Sequence, residues 1–264
     1  MAREKRVIKP PLSGWMGGKW QLSKQILPLI PQHTCYVEPF AGAAWLLFRK
    51  PCAEAEVLND INREIVTLYR VLQHHLEEFI RYFKWSLISR DEFERLCLVD
   101  PDTLTDIQRA ARFYYLQKLS FGGRIASPTF GTATTRPARL NLLRIEEELS
   151  AAHLRLARVT IEHLPYEKLI ARYDRPSTFF YLDPPYWGCE DYYGKSFFSR
   201  ADFAQLADQL RGIAGRFILS LNDVPDVRDV FREFRIRAVQ CTYSCSRTTR
   251  PKAGEVLISN FVLP

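Results

Sequence analysis

The tetrapeptide Asp183-Pro184-Pro185-Tyr186 brings together a carboxylate, backbone carbonyls on a stiff chain and an aromatic face. These groups can hold a planar base and draw on its exocyclic amine. The run before it, Ser177 to Leu182, is largely apolar and aromatic and reads as a buried strand of a parallel sheet. Proline lacks the N–H that a sheet ladder needs and fixes φ, so pairing stops at Asp183 and the chain leaves as a rigid loop. In open α/β sheets, ligands bind at this carboxyl end of the strands.

A second group of residues has the order expected of a nucleotide-type cofactor site. Tyr36 to Glu38 form a short strand, Pro39 to Ala44 a tight turn of small residues including Gly42, and Trp45 to Lys50 an apolar helix. Small residues let the backbone come close to a ligand at a helix N-terminus. The strand Ala55 to Leu58 follows and ends at Asn59-Asp60, where nucleotide-binding α/β folds place an acid against ribose hydroxyls. Asp60 also suits the N-cap of a helix starting near Asn62. Upstream, Gly14-Trp15-Met16-Gly17-Gly18-Lys19 precedes an apolar helix from Leu22 to Ile30 and suits a loop closing over a polar ligand. It lacks the GxxxxGK[ST] spacing of an NTPase loop, and the chain has no GxGxxG of a dinucleotide oxidoreductase.

Taken in order, these motifs resemble those of the Dam-type DNA adenine N6-methyltransferases over nearly the whole chain. Trp15-Met16-Gly17-Gly18-Lys19 is similar to the family's Trp-Ala-Gly-Gly-Lys, and Glu38 to Ala44 to its Glu-Pro-Phe-x-Gly-Ala-Gly, with Ala44 in place of the last glycine. Asp60-Ile61-Asn62 and Asp183 to Tyr186 match its Asp-Ile-Asn and Asp-Pro-Pro-Tyr. The resemblance implies S-adenosyl-L-methionine (AdoMet) as cofactor, held by Trp15, Lys19, Glu38, Phe40, Gly42, Asp60 and Asp183. Glu162, or His163 beside it, falls near the position where the family has an Asp facing the cofactor adenine. The catalytic group would be Asp183, the carbonyl of Pro184 and Tyr186, the last stacking on an adenine taken out of the duplex. Stacking needs only the ring, so Tyr186→Phe is expected to be far milder than Tyr186→Ala. AdoMet supplies its own electrophile, and no metal is expected.

Composition agrees. A chain of 264 residues can bury a sizeable core, and no stretch reads as a membrane helix or a signal peptide. The six cysteines form no CxxC pair and read as reduced core thiols of a cytoplasmic protein. Net charge is +7, and its placement matters more than its size. From Arg109 to Arg144 the chain carries Arg109, Arg112, Lys118, Arg124, Arg136, Arg139 and Arg144 without a single acid; Phe234 to Gly254 is a second acid-free stretch, with Arg235, Arg237, Arg247, Arg250 and Lys252. Phosphate neutralisation explains such gaps, as does a merely solvated basic face. Lys118, Arg124, Arg136 and Arg139 are the candidate contacts to double-stranded DNA, with Arg124 at the Gly122-Gly123 loop tip placed to read a base.

The expected architecture is α/β: a Rossmann-like methyltransferase sheet, mostly parallel with an antiparallel C-terminal strand, formed by residues 1–62 and 157–264. Residues 63–156 read as an inserted, mostly helical target-recognition domain. Helices are expected over Asn62–Trp85, Asp91–Leu98, Asp106–Leu119, Ile145–Leu156, 202–211 and 226–233, and strands over Val159–Glu162, 178–182, 216–221, 236–243 and 255–263. The tyrosine-asparagine elements with which GATC-reading Dam enzymes are built are absent around Ser120 to Arg124, so the resemblance implies no particular target sequence. Methylation of RNA adenine stays open, as does a non-catalytic nucleic-acid-binding protein. Enzymes acting on cytosine N4 or protein glutamine usually carry Ser or Asn at the position of Asp183.

Overall fold

A computed structural model describes residues 8–15, 18–123, 128–132, 134–135, 137–190, 198–240 and 254–264. Arg124, Arg136, Arg247, Arg250, Lys252, Cys241 and Cys245 lie outside the described residues. In chain order the strands are β1 (Cys35–Glu38), β2 (Ala55–Asn59), β3 (Val159–Glu162), β4 (Thr178–Leu182), β5 (Arg216–Asn222), β6 (Arg235–Gln240) and β7 (Gly254–Ser259). The helices are α1 (Ser23–Ile26), α2 (Arg63–His74), α3 (Leu76–Phe83), α4 (Arg90–Leu98), α5 (Asp106–Leu119), α6 (Ile145–Leu156), α7 (Tyr166–Tyr173), α8 (Arg200–Arg211) and α9 (Pro225–Val230).

The strands form one sheet in the order β3-β2-β1-β4-β5-β7-β6. β2, β1, β4 and β5 run parallel, and β7 runs antiparallel to both β5 and β6. β4 is buried at all five positions, as a central strand covered on both faces must be. β6, at the sheet edge, has only exposed and half-buried residues. The fold is thus mixed α/β with a mostly parallel sheet and antiparallel C-terminal strands.

Two compact units divide the chain: Met1–Gly18, Gly42–Pro51 and Asn62–Ile161 in the first, and Lys19–Ala41, Cys52–Ile61 and Glu162–Pro264 in the second. In the second unit Val37, Phe180, Leu182, Leu219, Val256 and Ile258 meet Leu169, Phe203, Leu206 and Phe231. Burial of this kind contributes about 1.5–3 kcal/mol for each large apolar side chain. The first unit packs Phe79, Phe83 and Tyr114 ring against ring. Its longest helix, α5, starts at a capping box between Thr105 and Gln108.

Several elements depart from the sequence-based expectation. Trp45 to Lys50 form turns and not a helix. Gly42 (φ 47°) and Ala44 (φ 51°) both adopt the left-handed conformation, which a right-handed helix cannot continue. The helix expected from Leu22 to Ile30 is one α-turn, α1, and a 3₁₀ turn at Leu27–Leu29, because Pro28 has no N–H to carry it further. The run Asn62–Trp85 breaks at His75 into α2 and α3. Asn62, and not Asp60, caps α2 by accepting from the Glu64 N–H. The last strand stops at Ser259 instead of running to Leu263, and α9 ends at Val230. Helix α7 was not anticipated. Cys35, Cys97 and Cys189 are half-buried and Cys52 exposed, so these four are not core thiols.

Candidate active site

Parallel pairing delivers three acids to one edge of the second unit. β1 lies between β2 and β4, with Glu38 in register with Leu58 and Val37 with Phe180. Glu38, Asp60 and Asp183 therefore emerge at the carboxyl ends of three adjacent strands. Glu38 is buried and accepts a hydrogen bond from the Tyr36 hydroxyl at 2.8 Å. Burial and the Glu38 charge hold the Tyr36 phenol well above its ordinary pKa, so it stays a donor. Phe40, in the turn after β1, packs against Tyr166 and Phe198 with ring centroids 5.4 and 5.8 Å apart.

Asp183 stands next to β5, where Leu182 pairs with Leu219, and the Ser220 hydroxyl donates to its Oδ1 at 3.2 Å. Lys19 Nζ lies 2.8 Å from the same oxygen and is 4 % exposed. The Lys19 ammonium also donates to the Tyr186 hydroxyl at 2.5 Å and sits 4.3 Å from the centre of the Tyr186 ring. Tyr186 in turn donates to Oε1 of Glu255, whose side chain is fully buried. Asp183, Lys19, Tyr186 and Glu255 thus form one continuous polar chain.

Burial raises the pKa of Asp183, while the Lys19 charge and the hydrogen bonds from Lys19 and Ser220 pull it back down. Glu255 is also raised by burial, with Lys19 and Tyr186 opposing and the Asp183 charge adding to the rise. Tyr186 is held well above its ordinary value, first by burial and then by the two carboxylates. The site therefore keeps a neutral phenol between two acids.

The loop after Asp183 is clamped from β5. Asn222 accepts from the Trp187 N–H and donates to the Trp187 carbonyl, each at 3.0 Å. Cys189 N–H closes a turn onto the Tyr186 carbonyl at 2.8 Å, and Gly188 supplies the positive φ (82°) that the turn needs. Pro184 and Pro185 stiffen one side and Asn222 fixes the other, so the carbonyls beside Asp183 are preorganised.

Not every expected contact falls in this cluster. In the first unit Trp15 is buried, and its indole covers Gly42 so closely that a Cβ there would lie 3.1 Å from Nε1. Glu162 accepts from Tyr173 at 2.7 Å and from Arg172 at 3.2 Å, and His163 Nε2 lies 3.1 Å from the Ile61 carbonyl. Lys118, expected to meet DNA, is 5 % exposed, with its ammonium 3.2 Å from Ser13 Oγ and over the Tyr114 ring. Burial lowers its pKa to about 8. The acid-free count from Arg109 to Arg144 overstates the positive surface for the same reason. Arg109 is buried between Glu64 and Asp102, and Arg112 donates to the Leu96 carbonyl at 2.8 Å. Arg139 is exposed. Ser120 is bridged to Phe130, and Phe121, in the turn Phe121–Gly123 that follows, is exposed.

Glu255, Asn222 and Ser220 were missed as site residues. Glu255 had one signal, an acid heading the apolar run Val256-Leu257-Ile258. The other two become visible only when β5 is placed beside β4.

Residues 15–245 match the family described as D12 class N6 adenine-specific DNA methyltransferase. The Type II methyltransferase M1.LlaDCHI of Lactococcus lactis subsp. cremoris is 25 % identical and covers 99 % of both chains. The Type II methyltransferase M.CviBI of Paramecium bursaria Chlorella virus NC1A is 25 % identical over 84 % of this chain and 86 % of its own. A DNA adenine methylase of Serratia marcescens is 28 % identical over 92 % of this chain and 95 % of its own. With the family match spanning β1 to β6, the Asp183 loop and the helical stretch between them, the chain belongs to the D12 class of N6 adenine-specific DNA methyltransferases.

Proposed function

We propose that this adenine methyltransferase takes its methyl group from AdoMet and acts on an adenine turned out of double-stranded DNA. The observation that carries the reading is Asp183 at the end of β4, its carboxylate held by Lys19 and Ser220 beside two prolines. Adenine N6 is a poor nucleophile because its lone pair is delocalised into the ring. Asp183 and the Pro184 carbonyl accept from the two N6 hydrogens and favour a pyramidal nitrogen with its lone pair directed outward. Their effect is greatest as positive charge develops on N6 in the transition state. Tyr186 stacks on the extruded base, with its hydroxyl anchored by Lys19 and Glu255.

The residues present fit AdoMet, which supplies an electrophilic methyl on a sulfonium when bound. Glu38, Asp60 and Asp183 set acids at neighbouring strand ends, suited to a cation that carries ribose hydroxyls. Among the described residues, Oε2 of Glu255 has no hydrogen-bond partner. Trp15, Lys19, Phe40 and Gly42 complete the proposed cofactor set, with Lys19 acting through Asp183. Residues 1–62 and 157–264 form the catalytic part and 63–156 the target-reading part, where Arg124 reads a base and Arg136 and Arg139 meet phosphates.

The test is to incubate the protein with AdoMet and either duplex DNA or RNA, digest to nucleosides and identify the product by mass spectrometry. N6-methyladenine in DNA, lost in Asp183→Ala, is expected. Methyl groups confined to RNA or to cytosine N4 refute the reading.

A further inference from the structure

Glu255 has so far only anchored the Tyr186 hydroxyl, yet it is the most deeply buried acid of the site. It heads β7 opposite Asn222 of β5, and its side chain has no exposed surface. Oε1 accepts from Tyr186 and lies 3.9 Å from Lys19 Nζ, while Oε2 has no hydrogen-bond partner among the described residues. Among the described residues, the charged or titratable groups facing it are Lys19 from the segment before α1, Tyr181 on β4, and Asp183 and Tyr186 from the loop after β4.

Among the described residues, with both carboxyls ionised, Asp183 and Glu255 against Lys19 leave one uncompensated negative charge. An unbalanced buried charge is costly, and two acids sharing one cation retain a proton between them. Asp183 has Lys19 at 2.8 Å and Ser220 at 3.2 Å on its carboxylate, whereas Glu255 has Lys19 only at 3.9 Å. The proton therefore resides on Glu255, at the unpartnered Oε2. Burial, which raises the Glu255 pKa, acts in the same direction.

We propose that Glu255 balances the charge of the cofactor site: it is protonated in the free enzyme and gives its proton to solvent when a sulfonium enters. The inference rests on AdoMet being the methyl donor at Asp183. The balance is simple: the carboxylic O–H breaks, buffer base takes the proton, and the carboxylate left behind neutralises the sulfonium. The demethylated product, S-adenosylhomocysteine, has the same amino-acid zwitterion but a neutral thioether. It calls for no such ionisation, so the site favours the charged cofactor over the spent one.

Calorimetric titration of the intact protein with each ligand, in buffers of different ionisation enthalpy at one pH, counts the protons released. AdoMet should release protons and S-adenosylhomocysteine markedly fewer. AdoMet affinity should fall on acidification by up to about tenfold per pH unit, the limit for one linked proton. Glu255→Gln keeps the shape and an acceptor for Tyr186. It should abolish the difference in proton release, flatten the pH dependence of AdoMet affinity, and reduce the preference for AdoMet at neutral pH by about ten- to a hundredfold. A melting curve without ligand checks that the variant folds.

Equal proton release by the two ligands in the wild type overturns the inference without any variant. Equal weakening of both ligands in Glu255→Gln overturns it too, by reducing Glu255 to a packing role. Failure of the wild type to bind AdoMet at all instead removes the cofactor reading itself.

Discussion

Replacing Tyr186 by Phe deletes one oxygen and should cost far more than the loss of a surface hydroxyl. That oxygen accepts from Lys19 at 2.5 Å and donates to Glu255. Lys19 keeps Asp183 at 2.8 Å, so its own loss is small. Glu255 keeps only Lys19 at 3.9 Å, so Oε1 of its neutral carboxyl becomes a buried acceptor without a hydrogen bond, and Oε2 has no partner among the described residues. Leaving a buried acceptor unsatisfied costs about 1–3 kcal/mol. For a chain of this size that amounts to a fall in Tm of roughly 2–6 °C.

The pH dependence follows from the direction of the Glu255 shift. Its folded pKa already lies above the ordinary value of 4.5, and removing the donor raises it further. The unfolded state is common to both proteins, so the gap is smallest below the folded wild-type pKa, where Glu255 is neutral in both, and grows as pH rises through it and the wild type ionises first. Scanning calorimetry without ligand should therefore show a constant gap as pH falls from neutral and a wider one at alkaline pH. Adding Glu255→Gln to Tyr186→Phe should recover part of the loss, because the two sites are directly coupled. A Phe variant melting within about 1 °C of the wild type at neutral pH refutes the buried network and restores a role for the ring alone.

Asp183→Ala should lower turnover by about a hundred- to a thousandfold, measured as methyl transfer per enzyme under saturating substrates, since it removes a preorganised partner of the developing charge. Lys118→Met should stabilise the protein at neutral pH by up to about 3 kcal/mol, because burial depresses the folded pKa from 10.5 to about 8 and the charged form is disfavoured below that. Denaturant titrations should show this gain shrinking between pH 8 and pH 10.5, as the wild-type ammonium is lost first in the folded state. Arg139→Ala should weaken DNA binding alike for every sequence and make the slope of log affinity against log salt shallower by about one. An unchanged slope removes Arg139 from the phosphate contacts.

What could be read from the chain, and what could not, follows from how far apart the interacting residues lie. β4 and the Asp183 loop announce themselves locally, because a buried run ended by two prolines has few other conformations. Helices α4, α5 and α6 were equally legible through their periodicity and, in α4 and α5, through side-chain caps at Ser89 and Thr105. Trp45 to Lys50 misled because an apolar run that short fits a buried turn as well as a helix, and left-handed Ala44 decided between them. There the chain carries an alanine where the resembled family has glycine, at a conformational cost of about 1–2 kcal/mol. Charge counting failed for a different reason. The acids that neutralise Arg109 are Glu64 on α2 and Asp102 before α5, so a stretch without acids says nothing about acids that fold back onto it. Glu255 is the extreme case. Seventy-two residues separate it from Asp183, and only the antiparallel return of β7 beside β5 turns an unremarked strand-initial acid into the fourth member of the Asp183 cluster.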